Sequence, residues 1–305
     1  MNSYLFNNHI NLARSFKEEG NKLKALQFYK KAYNLEEGKK DVELLLDMAL
    51  LYHELEQIDL AEEKYREVLN IDKEDERAIY GIGTLYDEEG LFEEAKEYYK
   101  KAIELNKNYD KAYFFLANIY DEEGEKEKAI NLYKKVLEIN PMDLWANANI
   151  ACIMEELGRL KEGEEYNKKA LEIEPNQFRI LFNMGVIQKR LGNIEIAKEY
   201  YIKSIKSNPK YPFSYLNLGV IYREDKNYTK AIDIISKGIE ENPEVGFLYY
   251  NRACFYALIG EKYKALEGVL KSIELDDFFI DYMKKDKELD CIRELKEYKK
   301  IFINN

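Results

Sequence analysis

The chain of 305 residues is poor in the residue types that carry chemistry: one tryptophan, two histidines and three cysteines. Cys152, Cys254 and Cys291 are an odd number without CxxC spacing, so no disulfide framework is predicted and a reducing, cytoplasmic setting is expected. His9 and His53 stand in no metal-ligand spacing to each other or to a cysteine, so no metal is expected. No phosphate-cradling glycine loop and no nucleophile elbow occurs. The carboxylates follow helical solvent faces, and no catalytic pair can be picked out. The expectation is therefore no enzyme and no cofactor. No stretch approaches 18 consecutive apolar residues, so membrane insertion is not expected. The opening MNSYLFNNHINLARS has no basic region followed by an apolar core, and no secretory signal is expected.

An excess of positive charge is also missing. The formal charge is −11, and residues 1–150 carry all of it, with 32 acidic against 21 basic residues. The remainder balances, 26 against 26. Phosphate binding needs clustered net positive charge, which argues against nucleic acid as a partner. A protein or peptide is the expected partner, and a basic peptide suits the acidic first half, whose field helps encounter at low salt.

What the chain has instead is a ruler. Small residues recur at Ala25, Ala61, Ala95, Ala129, Gly163, Ala197, Ala231 and Ala265, one interval of 36 followed by six of 34. Pro141, Pro175, Pro209 and Pro243 keep the same beat, as do Gly90, Gly124, Gly158 and Gly192. A fixed period of this size means stacked supersecondary units rather than one globular core.

Residues 110–141 show the unit. Tyr113, Leu116, Ala117 and Tyr120 fall at i, i+3, i+4 and i+7, one face of a helix. Gly124 marks a turn. Ala129, Leu132, Tyr133, Val136 and Leu137 mark a second helical face. Asn140-Pro141 closes the unit, because the residue before proline is pushed out of helical geometry. Ala117 and Ala129 sit where two antiparallel helices approach most closely, and Tyr133 fills space against the next unit. Gly81, Gly83 and Gly185 inside first helices each cost roughly 1 kcal/mol relative to Ala. Close backbone approach would justify that cost.

This pattern resembles the tetratricopeptide repeat. One unit reads Ile82-Gly83, Tyr86, Gly90, Ala95, Tyr99, Ala102. The next reads Tyr113, Leu116-Ala117, Tyr120, Gly124, Ala129, Tyr133, Pro141. A later one reads Leu181, Met184-Gly185, Gly192, Ala197, Tyr201, Pro209. Departures are local: two extra residues near Gly38, Gln188 where Tyr is usual, and Gly163 with Asn167 in the fifth unit. The resemblance implies an all-α, right-handed superhelical α-solenoid of antiparallel helix pairs. It divides the chain into eight repeats over residues 1–277, starting near 6, 42, 76, 110, 144, 178, 212 and 246. Residues 278–305 break the period. Leu289, Ile292, Leu295, Tyr298 and Ile301 form an apolar stripe, expected to be a closing helix over an otherwise exposed end, with a dimerisation helix as the rival.

The resemblance further implies that first helices line a concave surface that holds a peptide or partner segment. At the sixth position, Asn149, Asn183, Asn217 and Asn251 make an unbroken row. An amide offers two donors and an acceptor, matching a peptide backbone; the same asparagines could merely cap or bridge packing. At the second position stand Lys111, Trp145 and Arg179. A groove-facing Trp or Arg is a hot-spot type, and Trp145 could equally pack on the adjacent helix. Asn118, Asn149 and Arg179 match places of the clamp by which some relatives bind chaperone C-termini, but Phe114 and Asn183 replace its other residues, so no such clamp is expected. Positions twelve and thirteen are acidic at Asp87-Glu88, Asp121-Glu122 and Glu155-Glu156, then basic at Lys189-Arg190. They form a solvated face or one edge of a groove. The function expected is a protein interaction scaffold, monomer or homodimer. The alternatives are a peptide-sensing regulator and a self-assembling structural module.

Overall fold

Some helices are started by a capping side chain, and most first helices are stopped at a glycine in the left-handed conformation. In α3 (Val42–Glu54) the Asp41 carboxylate accepts from the Leu44 N–H, and in α5 (Glu76–Glu88) Asp75 accepts from the Arg77 and Ala78 N–H groups. At Gly124, φ is +79°, a left-handed turn that costs glycine nothing. Lys226 and Glu56 hold φ of 58° at comparable turns without that advantage.

The structure, a computed structural model, describes residues 2–276 and 280–302. No strand occurs among the described residues. They fall into two compact units, residues 1–146 and 147–305. In the first unit α1 (Asn2–Glu18) packs on α2 (Lys22–Tyr33), and α3 on α4 (Ile58–Ile71). Likewise α5 packs on α6 (Phe92–Leu105), and α7 (Asp110–Glu122) on α8 (Lys126–Ile139). The second unit begins within α9 (Leu144–Glu156), followed by α10 (Leu160–Ile173). Then α11 (Phe178–Arg190) packs on α12 (Ile194–Ser207), α13 (Pro212–Glu224) on α14 (Tyr228–Glu241), and α15 (Gly246–Leu258) on α16 (Lys262–Leu275). Within each unit the second helix of one pair also packs on the first helix of the next. This is the stacking of an α-solenoid. From α3 to α15, first helices begin every 34 residues.

The core is built from the ruler's own residues. Ala25, Ala61, Ala95 and Ala129, with Tyr29, Tyr65, Tyr99 and Tyr133 four residues on, are buried in the first unit; Ala197 and Tyr201 repeat this in the second. The helical glycines receive the rings. A Cβ on Gly81 would lie 2.3 Å from the Tyr65 ring, one on Gly185 2.6 Å from Tyr201, and one on Gly83 3.0 Å from Tyr99. The two extra residues after the first pair form a single 3-10 turn, Gly38–Lys40, with Gly38 buried against the end of α2.

The departures have local solutions. Asn167 stands where five other pairs have Tyr and the last two have Ile235 and Val269; it is fully buried, and its amide donates to the Ile180 carbonyl at 3.0 Å. Its Oδ1 has no partner. Gly163 lets α10 approach the Ala151 carbonyl to 3.0 Å, measured from an added Cβ. Buried Gln188 accepts from the Asn193 amide at 2.8 Å.

The tail is not one helix. Its described residues form α17 (Ile280–Met283), a 3-10 segment (Lys287–Ile292) and α18 (Lys296–Phe302). The stripe Leu289, Ile292, Leu295, Tyr298 advances by three residues each time, which suits 3.0 residues per turn better than 3.6. Asp286 starts the 3-10 segment by accepting from the Glu288 N–H. Met283, Leu289, Ile292 and Tyr298 are buried with Leu266 and Val269 of α16. Residues 278, 279 and 303–305 of the expected closing helix, and the side chain of Ile301, lie outside the described set.

Candidate binding site

In the first unit the first helices turn one side chain per turn to a common face. On α5 these are Arg77, Tyr80, Thr84 and Asp87, spaced i, i+3, i+7, i+10, a single helical stripe. With Asp47 and Leu50 of α3 and Lys111 and Phe115 of α7, they line a groove of about 470 Å³. That lies within the usual range for ligand pockets, roughly 300–1,000 Å³. The floor is aromatic. The Tyr80 ring centroid is 5.0 Å from Tyr109, 5.8 Å from Tyr99 and 6.1 Å from Phe115. Burial raises the Tyr80 phenol well above its ordinary range and pushes Tyr109 up to about 12, so both stay neutral.

The groove's charges are mostly paired. Arg77 bonds Glu43 at 2.6 Å and Asp75 at 2.7 Å, and Arg14 bonds Asp47 at 2.8 Å. Asp87 differs. It accepts from the Tyr99 hydroxyl at 2.9 Å. Burial raises its carboxyl above the usual range; the Tyr99 bond opposes this, and the negative charges of Glu122 and Glu88 add to it.

Along one edge, position twelve of each pair meets position thirteen of the next. In the first unit Lys17 pairs with Glu54 at 3.0 Å, and His53 with Glu88 at 2.7 Å. The following rung sets Asp87 against Glu122, two carboxylates. Beyond it, Asp121 turns to Lys126 at 2.7 Å. In the second unit Arg190 pairs with Glu155, Lys189 with Glu224 at 2.9 Å, and Arg223 with Glu288 of the tail.

The residues predicted from sequence are distributed as follows. Lys111 lines the 470 Å³ groove. It also shares a 140 Å³ hollow with Trp145, Phe114 and Asp143. Trp145 is 41% exposed. Asn118 accepts from the Tyr133 hydroxyl, so it braces α7 on α8. In the second unit the asparagine row occupies equivalent places on α9, α11, α13 and α15. Asn217 and Asn251 turn an amide hydrogen to their own helices, to the Phe213 carbonyl at 3.0 Å and the Phe247 carbonyl at 2.8 Å. Asn183 reaches Cys152 Sγ at 2.9 Å, and half-buried Asn149 stands on α9. Arg179 is exposed beside Phe178. Next to the row runs an aromatic strip that includes Phe182, Tyr211, Phe213 and Phe247. Phe213 and Phe247 stack at 5.3 Å, and Phe213 is 45% exposed.

Of the residues lining the 470 Å³ groove, the sequence offered Lys111 as a specificity residue, Tyr80 as ligand floor or helix support, and Asp87-Glu88 as solvated face or groove edge. That Arg77, Tyr80, Thr84 and Asp87 form one stripe was the signal not used. Tyr65 and Tyr99, which complete the floor, come from second helices, where periodicity reads only as core. Near the tail, Cys254, Asp286 and Glu288 bring ligand-type atoms within 4.8 Å of one another. Those atoms are engaged: Asp286 holds the Tyr250 hydroxyl and the Cys254 thiol, and Glu288 holds Arg223. Burial and the Asp286 charge raise the Cys254 thiol, which stays protonated.

Family models described as tetratricopeptide repeat match residues 42–75, 88–148, 146–177, 178–211 and 200–233. The chain belongs to the tetratricopeptide repeat family. Tetratricopeptide repeat proteins are generally non-catalytic, and this member is a protein–protein interaction scaffold. Among solved structures, it is similar to a chain of the APC/C hetero-tetramer Cut9–Hcn1 (TM-score 0.61, 16% identity, 89% of this chain and 52% of that one). It is similar to pilF of Pseudomonas aeruginosa (TM-score 0.58, 20% identity, 70% and 96%). It is also similar to YrrB, a TPR protein with an unusual peptide-binding site (TM-score 0.51, 23% identity, 61% and 95%). At these identities the likeness concerns the fold. No curated protein matches the chain at significant sequence similarity. Among the described residues, no helix is long and apolar enough to cross a membrane.

Proposed function

We propose that this scaffold holds an extended peptide, or an extended segment of a partner protein, on its first-helix face. The observation that carries the reading is the aromatic-floored groove of about 470 Å³, lined from three successive first helices. A groove that crosses successive repeats suits a chain better than a compact small molecule. In the second unit, Asn149, Asn183, Asn217 and Asn251 would bond the peptide backbone. The bonds seen at Asn183, Asn217 and Asn251 use one amide hydrogen each, and an amide also carries a second N–H and an acceptor oxygen. Arg179, Lys111 and Trp145 would read side chains, with Asn118 holding α7 in place. The burial of Leu289 and Ile292 against α16 favours a closing role for the tail over self-assembly through it.

The test begins with peptides selected on the full chain from a random display library and resynthesised with a fluorophore. Anisotropy then compares wild type with Tyr80→Ala and with the four-asparagine variant Asn149→Ala, Asn183→Ala, Asn217→Ala, Asn251→Ala. Loss of affinity of tenfold or more in either, with unchanged circular dichroism, supports the reading. Unchanged affinity in both rejects it.

A further inference from the structure

The edge ladder of the first unit is complete at two rungs and broken at the third. Lys17 with Glu54 and His53 with Glu88 are opposite or complementary pairs. Asp87 with Glu122 is not. Asp87 is the one position-twelve group from repeat one to repeat seven that lacks an ion-pair or charge-bonded neighbour among the described residues. It stands half-buried over the aromatic floor, in a unit that holds the whole negative excess of the chain. A carboxylate removed from water without a counter-charge is unfavourable. An apolar or acidic occupant would leave it so. A cation would complete the rung.

We infer that the groove across α3, α5 and α7 takes the lysine or arginine side chain of a bound peptide. The cation meets Asp87 and Glu122, and its methylenes lie over Tyr80 and Phe115. This inference rests on the peptide-binding reading above and names its ligand chemistry. The carboxylate has about four lone-pair sites, and the Tyr99 hydroxyl occupies one, so capacity remains for a charge-assisted bond. Aromatic rings favour an organic cation with an apolar stem, because ring faces attract positive charge while the stem removes their surface from water. A small hydrated metal ion would gain nothing from Tyr80, Tyr99, Tyr109 and Phe115.

The experiment uses peptides selected on the full chain from a random twelve-residue display library, each resynthesised with its basic residues changed one at a time to Gln. Two protein variants separate the causes. Asp87→Asn keeps the shape and the acceptor for Tyr99 but removes the charge. Glu122→Lys, at an exposed position, supplies the missing cation from within. On wild type, one Lys/Arg→Gln change weakens binding at least tenfold. On both variants the parent peptide binds at least tenfold more weakly than on wild type, and that Gln change has little further effect. Tight peptides that do not depend on a basic residue, or a dependence unaltered by both variants, would overturn the cation site and leave the peptide-binding reading standing. Recovery of no binding peptide at all would overturn both.

Discussion

Replacing Gly81 by Ala sets two magnitudes against each other. In a helix interior, alanine is better than glycine by roughly 0.8–1.0 kcal/mol. Against this, the new methyl would lie 2.3 Å from the Tyr65 ring. Carbon contacts are comfortable at about 3.5–4.0 Å, so ring or backbone must move by more than 1 Å. Tyr65 is buried in the close-packed junction of α4 and α5 and has little space to retreat. Overpacking of this kind costs about 1–3 kcal/mol, and an overlap this large belongs at the upper end. Gly81→Ala is therefore expected to destabilise by about 1–2 kcal/mol net. At Gly83 the clearance to Tyr99 is 3.0 Å, so Gly83→Ala should fall near zero. Urea unfolding followed by circular dichroism, checked against Trp145 fluorescence, measures both. A double-mutant cycle adds the decisive arm: with Tyr65→Leu in place, Gly81→Ala should become stabilising by roughly the propensity difference. A Gly81→Ala protein as stable as wild type, or a cycle with no coupling, would refute the claim that ring access maintains this glycine.

Lys226→Gly should stabilise the protein by about 0.5–1 kcal/mol: a left-handed residue with a Cβ costs about 1–2 kcal/mol, and glycine returns part of that through the unfolded chain; a lower melting temperature would contradict this. Asp75 and Asp87 should give opposite pH profiles. Burial alone would raise Asp75, but Arg77 and the Ala78 N–H outweigh it and hold its carboxyl below the ordinary range. Its contribution is present above the unfolded value, roughly 3.9, and disappears as pH falls through the lower folded value. The deficit of Asp75→Asn at neutral pH should accordingly shrink on acidification below about pH 4. The Asp87 carboxyl is raised, so folding favours its protonated form, and wild type loses stability relative to Asp87→Asn as pH rises from about 4 through the folded value. Parallel profiles in urea unfolding would show the assignments to be wrong. Leu289→Ala should cost about 2–5 kcal/mol in the local stability of α15 and α16, read as faster amide exchange there; exchange unchanged in those helices would argue that the tail contributes little.

The repeat period made the helix pairs legible, because a spacing such as Ala95 to Ala129 to Gly163 has no other simple physical cause. Gly81, Gly83 and Gly185 were legible as sites of close approach for the same reason: glycine inside a helix is unfavourable unless something needs the space. The tail was misread where Leu289, Ile292, Leu295 and Tyr298 step by three, a rhythm that an α-helix cannot keep on one face. The asparagine row was placed correctly on its helices, but the competition for each amide was hidden. A carbonyl four residues back, such as Phe213 for Asn217, is offered by every helix, and no spacing rule tells whether the side chain takes it. The broken rung at Asp87 was visible as an acidic doublet. That its opposite number is Glu122 follows from which residue of the next first helix stands beside it, and only three-dimensional register supplies that.

Asn167 leaves the second unit with a seam. Elsewhere a buried apolar side chain fills this place, a tyrosine ring in five pairs and Ile235 and Val269 in the last two; here a small amide does, with an oxygen sealed away from any donor. In a linear array, cohesion is only as strong as each junction with the next. Thermal fluctuations should therefore part α10 from α11 more readily than junctions filled by a ring, giving a built-in point of compliance at which the wall can flex while the flanking segments keep their shape.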